Sequence, residues 1–294
     1  MSLKNGKNRY RIKAGAKANL YLEITGKRED GFHNLYSLFI PIQWYDTLDF
    51  SLLKEGKTRF SSSDPCISEN NTVSKAIEKL YPYRKNQTEL QIHLIKNVPY
   101  MAGLGSASSD AASTLSFLND FWECGLPREK LEEIGLEIGS DTPFFFYEKP
   151  CVIRGRGEII EPIHNHGKFF FLIVKPKNIH ISTQEAYQLI SEKKAYTNQE
   201  SLQKKMLASF INGNSIDFAD SLFNGFESFL IEKYFFFKDL KKYFKQSGAL
   251  NSVLSGSGSS FTGVYKDLED LEKGLFFFKQ KNIKNIFDFK ISFL

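Results

Sequence analysis

Apolar and polar residues alternate along Lys17–Ile24. Ala18, Leu20, Leu22 and Ile24 fall on one side, and Lys17, Asn19, Tyr21 and Glu23 on the other. A period of two predicts a strand whose polar face carries Lys17 and Asn19. Leu35–Ile42, Thr47–Leu53 and Thr88–Lys96 predict further strands, and Asn71–Tyr81 has helical spacing. A Gly/Ser-rich turn at Gly103–Ser109 opens a second helix running to Trp122. Pro127–Ile138 predicts a third, with proline first, where its missing N–H costs nothing. Phe144–Tyr147 and Cys151–Arg154 return to strand.

The weakly hydrophobic segment Ile163–Lys168 marks a boundary between domains 1–165 and 166–294. Beyond it, Lys168–Lys175 predicts a buried strand and Ser182–Ser247 a helical stretch. Leu250–Leu254 and Phe261–Tyr265 form a strand pair, Asp267–Lys281 a helix and Ile283–Phe293 a last strand. Strands and helices mix without strict alternation, which predicts an α+β fold.

Composition narrows the function only slightly. The 294 residues suffice for two domains with real cores. The 28 phenylalanines come partly in short runs such as Phe235–Phe236–Phe237, too short to span a membrane, which takes about 20 apolar residues. Net charge is +5, without the dense basic stripe of a nucleic-acid binder. Five basic residues in Lys4–Lys13 are followed by no apolar run, so the segment reads as a solvated terminus. Cys66, Cys124 and Cys151 are odd in number and form no CxxC, as expected of reduced thiols in a cytoplasmic protein.

Several segments could carry chemistry. Pro99–Ala111 reads PYMAGLGSASSDA, a glycine turn between a strand and a helix. Glycines let backbone approach a phosphate, and the helix start supplies free N–H groups and partial positive charge. Ser106, Ser108 and Ser109 add hydroxyls, and no lysine follows the second glycine, so this is not a Walker P-loop. The plain alternative is a serine-capped turn. The loop Ser255–Ser260, SGSGSS, is either a hairpin connection or a second cover for a triphosphate. Lys17 reads as a snorkelling strand lysine or as an active ammonium, and Asp141 as a turn cap or a base. If the two meet, the lysine keeps the carboxylate ionised and stabilises a transferring phosphoryl group. Phe32 and His33, in the turn Gly26–His33, pair a flat ring with a polar edge as a nucleobase requires. His164 and His166 read as exposed, with no third metal ligand evident.

Lys17–Leu20, Pro99–Ala112 and Leu254–Ser260, in this order, resemble the GHMP kinase superfamily. Ala16–His33, followed by Leu35, Ser37, Leu38, Phe39 and Asp46–Leu48, is similar to the pattern P-A-K-x-N-L-x-L-x-I-x-G-x-R-x-D-G-Y-H of one of its branches. That branch phosphorylates the 2-hydroxyl of a cytidine-diphosphate-linked methylerythritol in the non-mevalonate isoprenoid pathway. The resemblance implies an N-terminal ribosomal-S5-domain-2-like domain and a C-terminal ferredoxin-like GHMP kinase domain. It implies ATP as co-substrate, with Mg²⁺ as the ATP complex and no resident metal. It implies Asp141 as base and Lys17 as its charge partner. Pro99, Gly103, Leu104, Gly105, Ser106, Ala107, Ser108 and Ser109 would bind ATP. Asn19, Phe32, His33, Thr183, Tyr187, Gly256, Ser257 and Gly258 would bind substrate, with Phe32 and Tyr187 on the two faces of cytosine. No nucleic-acid or membrane partner is implied, and a monomer or weak homodimer is expected.

The chain departs from the branch in three places. Gly15 replaces proline, Phe32 replaces tyrosine, and Ser106 and Ala107 replace two glycines. A Cβ at the last two restricts positive φ, so a shifted phosphate loop is expected. The competing readings are a homoserine- or mevalonate-type kinase, which has no need of Phe32 and His33, and a non-catalytic nucleic-acid-binding module.

Overall fold

The structure, a computed structural model, describes residues 3–4, 8–282 and 286–294. They form two compact units, one of residues up to Ala16, Trp44–Val98 and Gly105–Glu148, the other of Lys17–Gln43, Pro99–Leu104 and the residues from Lys149 on.

Strands β1 (Leu3–Lys4), β2 (Arg9–Lys27), β3 (His33–Leu52), β4 (Arg59–Ser62) and β5 (Leu90–Ile95) lie in the order β1-β2-β3-β5-β4. The first unit holds the beginning of β2 and the end of β3, and the second unit holds their other halves. Parallel β4 and β5 are joined through helix α1 (Thr72–Leu80), the kind of crossover that parallel strands require. Asn71 caps α1 by accepting from the Val73 and Ser74 amides, at 2.9 and 3.0 Å. Val73, Ala76, Ile77 and Leu80 repeat at helical spacing and bury one face. Helices α2 (Ser106–Phe121) and α3 (Arg128–Ile138) complete this unit, with Pro127 at the N-cap of α3. Phe50, Ile92, Leu115, Leu118 and Trp122 form its core. Trp122 is fully buried, and its indole N–H donates to the Thr88 carbonyl at 2.9 Å.

Two expectations change here. The strands predicted at Leu35–Ile42 and Thr47–Leu53 are one strand, β3, because the residues between contain no glycine and continue the extended backbone. Phe144–Tyr147 is not a strand: Thr142–Phe146 form a 3₁₀ turn. Pro143 stands at its start, where it fixes φ and cannot donate to a ladder. Phe144 alone of the three phenylalanines is fully buried.

In the second unit, β6 (Cys151–Gly155) runs antiparallel to the beginning of β3, from Leu35 opposite Gly155 to Phe39 opposite Cys151. Strand β7 (Ile159–Pro162) pairs with β6. A separate antiparallel sheet contains β8 (Phe170–Pro176), β10 (Asn251–Leu254), β11 (Phe261–Tyr265) and β12 (Phe287–Phe293), in the order β10-β11-β8-β12. The two-residue strand β9 (Phe223–Asn224) runs parallel to β2. Helices α4 (Thr183–Lys193), α5 (Glu200–Ile211), α6 (Ser215–Asp220), α7 (Glu227–Lys233) and α8 (Phe236–Gln246) separate β8 from β10, and α9 (Leu268–Lys281) separates β11 from β12. A β-α-β-β-α-β succession with this strand order is ferredoxin-like. The predicted last strand began at Ile283; residues 283–285 lie outside the described residues, as do residues 5–7 of the basic N-terminal stretch.

The polar face predicted for β2 does not meet solvent. Every residue from Ala16 to Ile24 is buried, including Lys17, Asn19, Tyr21 and Glu23. Local alternation reports which side chains share a face, not what covers it. Glu23 accepts from the Gln199 amide at 2.7 Å and from the Gln203 side chain at 2.5 Å. Such partners offset the cost of burying a carboxylate.

Gly263 in β11 tests the packing of the four-stranded sheet. A Cβ there would lie 2.5 Å from the ring of Phe244, which is buried and cannot swing away. Gly263→Ala is expected to cost about 1–3 kcal/mol in urea unfolding. An unchanged midpoint would contradict this packing.

Candidate active site

In the first unit the site residues gather at the start of α2. Gly105 is left-handed, with φ +67°, and turns the chain into the helix. Ser106, Ala107, Ser108 and Ser109 form the first turn; the Ser109 amide donates to the Gly105 carbonyl at 3.0 Å, and the three amides before it have no carbonyl within the helix to bond. Ser106 and Ala107 are helical residues with negative φ, and positive φ is needed at Gly103 and Gly105 instead. The expected distortion from their Cβ atoms therefore does not arise. Asp141 stands at the N-cap of the 3₁₀ turn, yet its side chain makes no capping hydrogen bond. The plain turn-cap role thus falls away. A Cβ on nearby Gly139 would meet both Ser108 Oγ and Thr142 Oγ1 at 3.2 Å, so the segment before Asp141 closes on the first turn of α2.

In the second unit the predicted residues converge around β2. The Lys17 ammonium is buried, donates to Asn19 Oδ1 and stands 4.5 Å above the Phe39 ring. It does not snorkel to solvent. Asn19 Nδ2 donates to Ser37 Oγ at 3.1 Å, and the Asn19 amide donates to Ser255 Oγ at 3.1 Å. Ser255 Oγ in turn donates to the Gly103 carbonyl at 3.0 Å. The amides of Lys17 and Ser260 donate to Leu104 and Ala102, at 2.9 and 3.1 Å. The segment Pro99–Leu104 is thereby bound to both β2 and the loop Ser255–Ser260. Gly103 admits no other residue: its φ is +72°, and a Cβ would stand 2.0 Å from the Ser255 carbonyl oxygen. Gly256 and Gly258 also have positive φ, and a Cβ on Gly256 would lie 3.2 Å from Asn19 Oδ1. Thr183 and Ser257 share a 3.0 Å hydrogen bond between their hydroxyls.

The predicted nucleobase residues also lie in this unit. His33 stacks on Tyr187 with ring centroids 4.9 Å apart, and its Nε2 shares a 2.8 Å hydrogen bond with Ser191 Oγ. Phe32 is 47% exposed, and its ring carries the Arg156 guanidinium at 4.7 Å. His164 and His166 are exposed.

Several polar partners were given no role from the sequence. Ser37 and Ser255 satisfy Asn19, and Asn224 donates to the carbonyls of Leu254 and Gly256 at 2.7 and 2.9 Å. Ser255 lay inside a recognised loop, whereas Asn224 lay within a stretch read as helical and gave no signal. Among the described residues, no group of three or more His, Cys, Asp or Glu is placed to hold a metal. No helix among them is long and apolar enough to cross a membrane.

Residues 71–149 match the GHMP kinases N terminal domain. The chain is 37% identical to the 4-diphosphocytidyl-2-C-methyl-D-erythritol kinase of Thermodesulfovibrio yellowstonii, over 91% of this chain and 93% of the relative. It is 35% identical to the enzyme of that name from Chlorobium phaeobacteroides, over 92% and 93%. A crystal structure of 4-(cytidine 5'-diphospho)-2C-methyl-D-erythritol kinase shares the fold at TM-score 0.80 and 22% identity, over 96% and 98% of the two chains. A homoserine kinase from Cytophaga hutchinsonii does so at TM-score 0.72 and 16% identity, over 100% and 96%. The fold is that of the GHMP kinases. Within them, the chain belongs to the 4-diphosphocytidyl-2-C-methyl-D-erythritol kinase family.

Burial, with the Lys27 charge adding, lowers the His33 imidazole below its ordinary 6.5. Between the folded and ordinary values the unfolded chain binds more protons, so His33's contribution to stability is complete above 6.5 and is lost on acidification below it. Titration of the His33 ring by NMR is expected to give a midpoint under 6.5. A midpoint above that value would contradict a buried, neutral imidazole.

Proposed function

We propose that this kinase transfers the γ-phosphate of ATP to the 2-hydroxyl of 4-diphosphocytidyl-2-C-methyl-D-erythritol, a step of non-mevalonate isoprenoid synthesis. The observation that carries the reading is the buried Lys17 ammonium, tied through Asn19 and Ser255 to the glycine loop at Gly103. An enclosed lysine fixed beside a glycine loop suits a group that must meet phosphate charge. Family membership adds the acceptor, because the similar proteins carry the name of a kinase for it.

In this reading ATP enters as its Mg²⁺ complex, the amides and hydroxyls of Gly103, Leu104, Gly105, Ser106, Ala107, Ser108 and Ser109 receive its phosphates, and Pro99, which has no N–H, lines the site by contact. Asp141 accepts the proton of the 2-hydroxyl as it attacks, and Lys17 stabilises charge on the transferring phosphoryl group. Asn19 orients the erythritol portion. Phe32 and Tyr187 present aromatic surface to cytosine, and neutral His33 meets its polar edge. Thr183, Gly256, Ser257 and Gly258 line the substrate from the second glycine loop. A homoserine- or mevalonate-type acceptor has no nucleobase and leaves Phe32 and His33 without a task. We place the enzyme in the cytoplasm, as a monomer or weak homodimer without a nucleic-acid partner. Domains 1–165 and 166–294 are proposed, because all strands of the ferredoxin-like sheet follow residue 166.

Asp141→Asn removes the base and keeps the shape. It is expected to lower kcat about 10²–10⁴-fold while ATP still binds. Activity within tenfold of wild type would remove Asp141 from this role.

A further inference from the structure

Beside the start of α2, the first unit buries an ionic cluster that the reaction as described does not use. Lys96 follows β5 directly, and its side chain is 9% exposed. Its ammonium donates to three acceptors: Asp46 Oδ2, Asp110 Oδ2 at 2.9 Å and Ser106 Oγ at 3.2 Å. Asp46, fully buried in β3, accepts from the Asn97 and Val98 amides through its other oxygen, at 2.6 and 2.9 Å. Asp110 belongs to α2 and is 2% exposed. Its Oδ1 has no hydrogen-bond partner among the described residues.

Two consequences follow from donor and acceptor chemistry. An ammonium has no acceptor, so Ser106 Oγ accepts from Lys96 and its own O–H must point elsewhere as a donor. Ser106 opens α2, beside amides that receive anions. The charges are also unequal, two carboxylates against one ammonium. With both carboxylates ionised the cluster is a buried negative charge next to a seat for a polyanion. With Asp110 protonated it is neutral.

We propose that Lys96 is a positioning residue for phosphoryl transfer: with Asp46 and Asp110 it holds the first turn of α2 and aims the Ser106 hydroxyl for the triphosphate, and binding of that triphosphate loads a proton on Asp110. This rests on the ATP-binding reading above. The charged groups facing Asp110 are Lys96 from the end of β5 and Asp46 from β3. Burial pushes the Asp110 carboxyl up to about 7, with Lys96 opposing the rise and Asp46 adding to it. A bound triphosphate raises it further. ATP affinity is therefore full below that range and declines as pH rises through it.

The test is ATP dissociation by calorimetry from pH 6 to 8.5, in wild type, Asp110→Asn and Lys96→Met. ATP's own titration is common to all three. Wild-type affinity is expected to weaken at least threefold more than that of Asp110→Asn between pH 6.5 and 8.5. Lys96→Met is expected to have a lowered thermal midpoint and, measured below that midpoint where it is folded, to bind ATP at least tenfold more weakly. Should it fail to fold, the isosteric Asp110→Asn comparison decides. Identical pH profiles for wild type and Asp110→Asn would overturn the inference alone, as would a folded Lys96→Met with wild-type affinity. A wild-type chain that binds no ATP would overturn the kinase reading and this inference with it.

Discussion

A buried polar side chain must find a partner, and in this protein that requirement concentrates in one strand. Lys17, Asn19, Tyr21 and Glu23 alternate with apolar residues that are equally buried. Each unpaired polar group would cost about 1–3 kcal/mol, and a charge more. Asn19 is answered by Ser37, Ser255 and Lys17, and Glu23 by Gln199 and Gln203. These partners come from distant parts of the chain, so satisfying β2 brings the loop Ser255–Ser260 and the residues after β7 to its side. The chemistry proposed for Lys17 follows from this arrangement.

Glycine completes the arrangement by being small. Gly103 carries left-handed backbone and stands where a side chain would strike the Ser255 carbonyl. Serine hydroxyls and backbone amides then bridge the two loops. Glycine at these positions lets backbone pack directly on its neighbours, and backbone N–H groups left free in such loops suit a phosphate chain recognised by its oxygens.

Much of this was legible in the sequence, though unevenly. Lys17, Asn19 and both glycine loops could be read because each lies in a short contiguous motif. The helices placed at Asn71–Tyr81 and Asp267–Lys281 could be read from their spacing, and the structure adds that Asn71 and Asp267 are their N-caps. Three kinds of feature escaped. Burial of the polar side of β2 depends on what packs over it, which alternation cannot report. The Phe144–Phe146 run imitates a strand, and Pro143 decides against one. The cluster of Asp46, Lys96 and Asp110 joins residues from two strand segments and a helix, and a buried ion network has no period to betray it.

The central claim is that the enclosed lysine and its glycine loops serve phosphoryl transfer to an acceptor selected by its cytidine. It is tested most directly by ³¹P NMR of wild-type reactions containing ATP and either 4-diphosphocytidyl-2-C-methyl-D-erythritol or homoserine. The account predicts ADP and a new phosphomonoester on the 2-hydroxyl of the cytidyl compound, with homoserine unchanged. Equal turnover of the two acceptors, or ADP formation with no ester on the cytidyl compound, would contradict it.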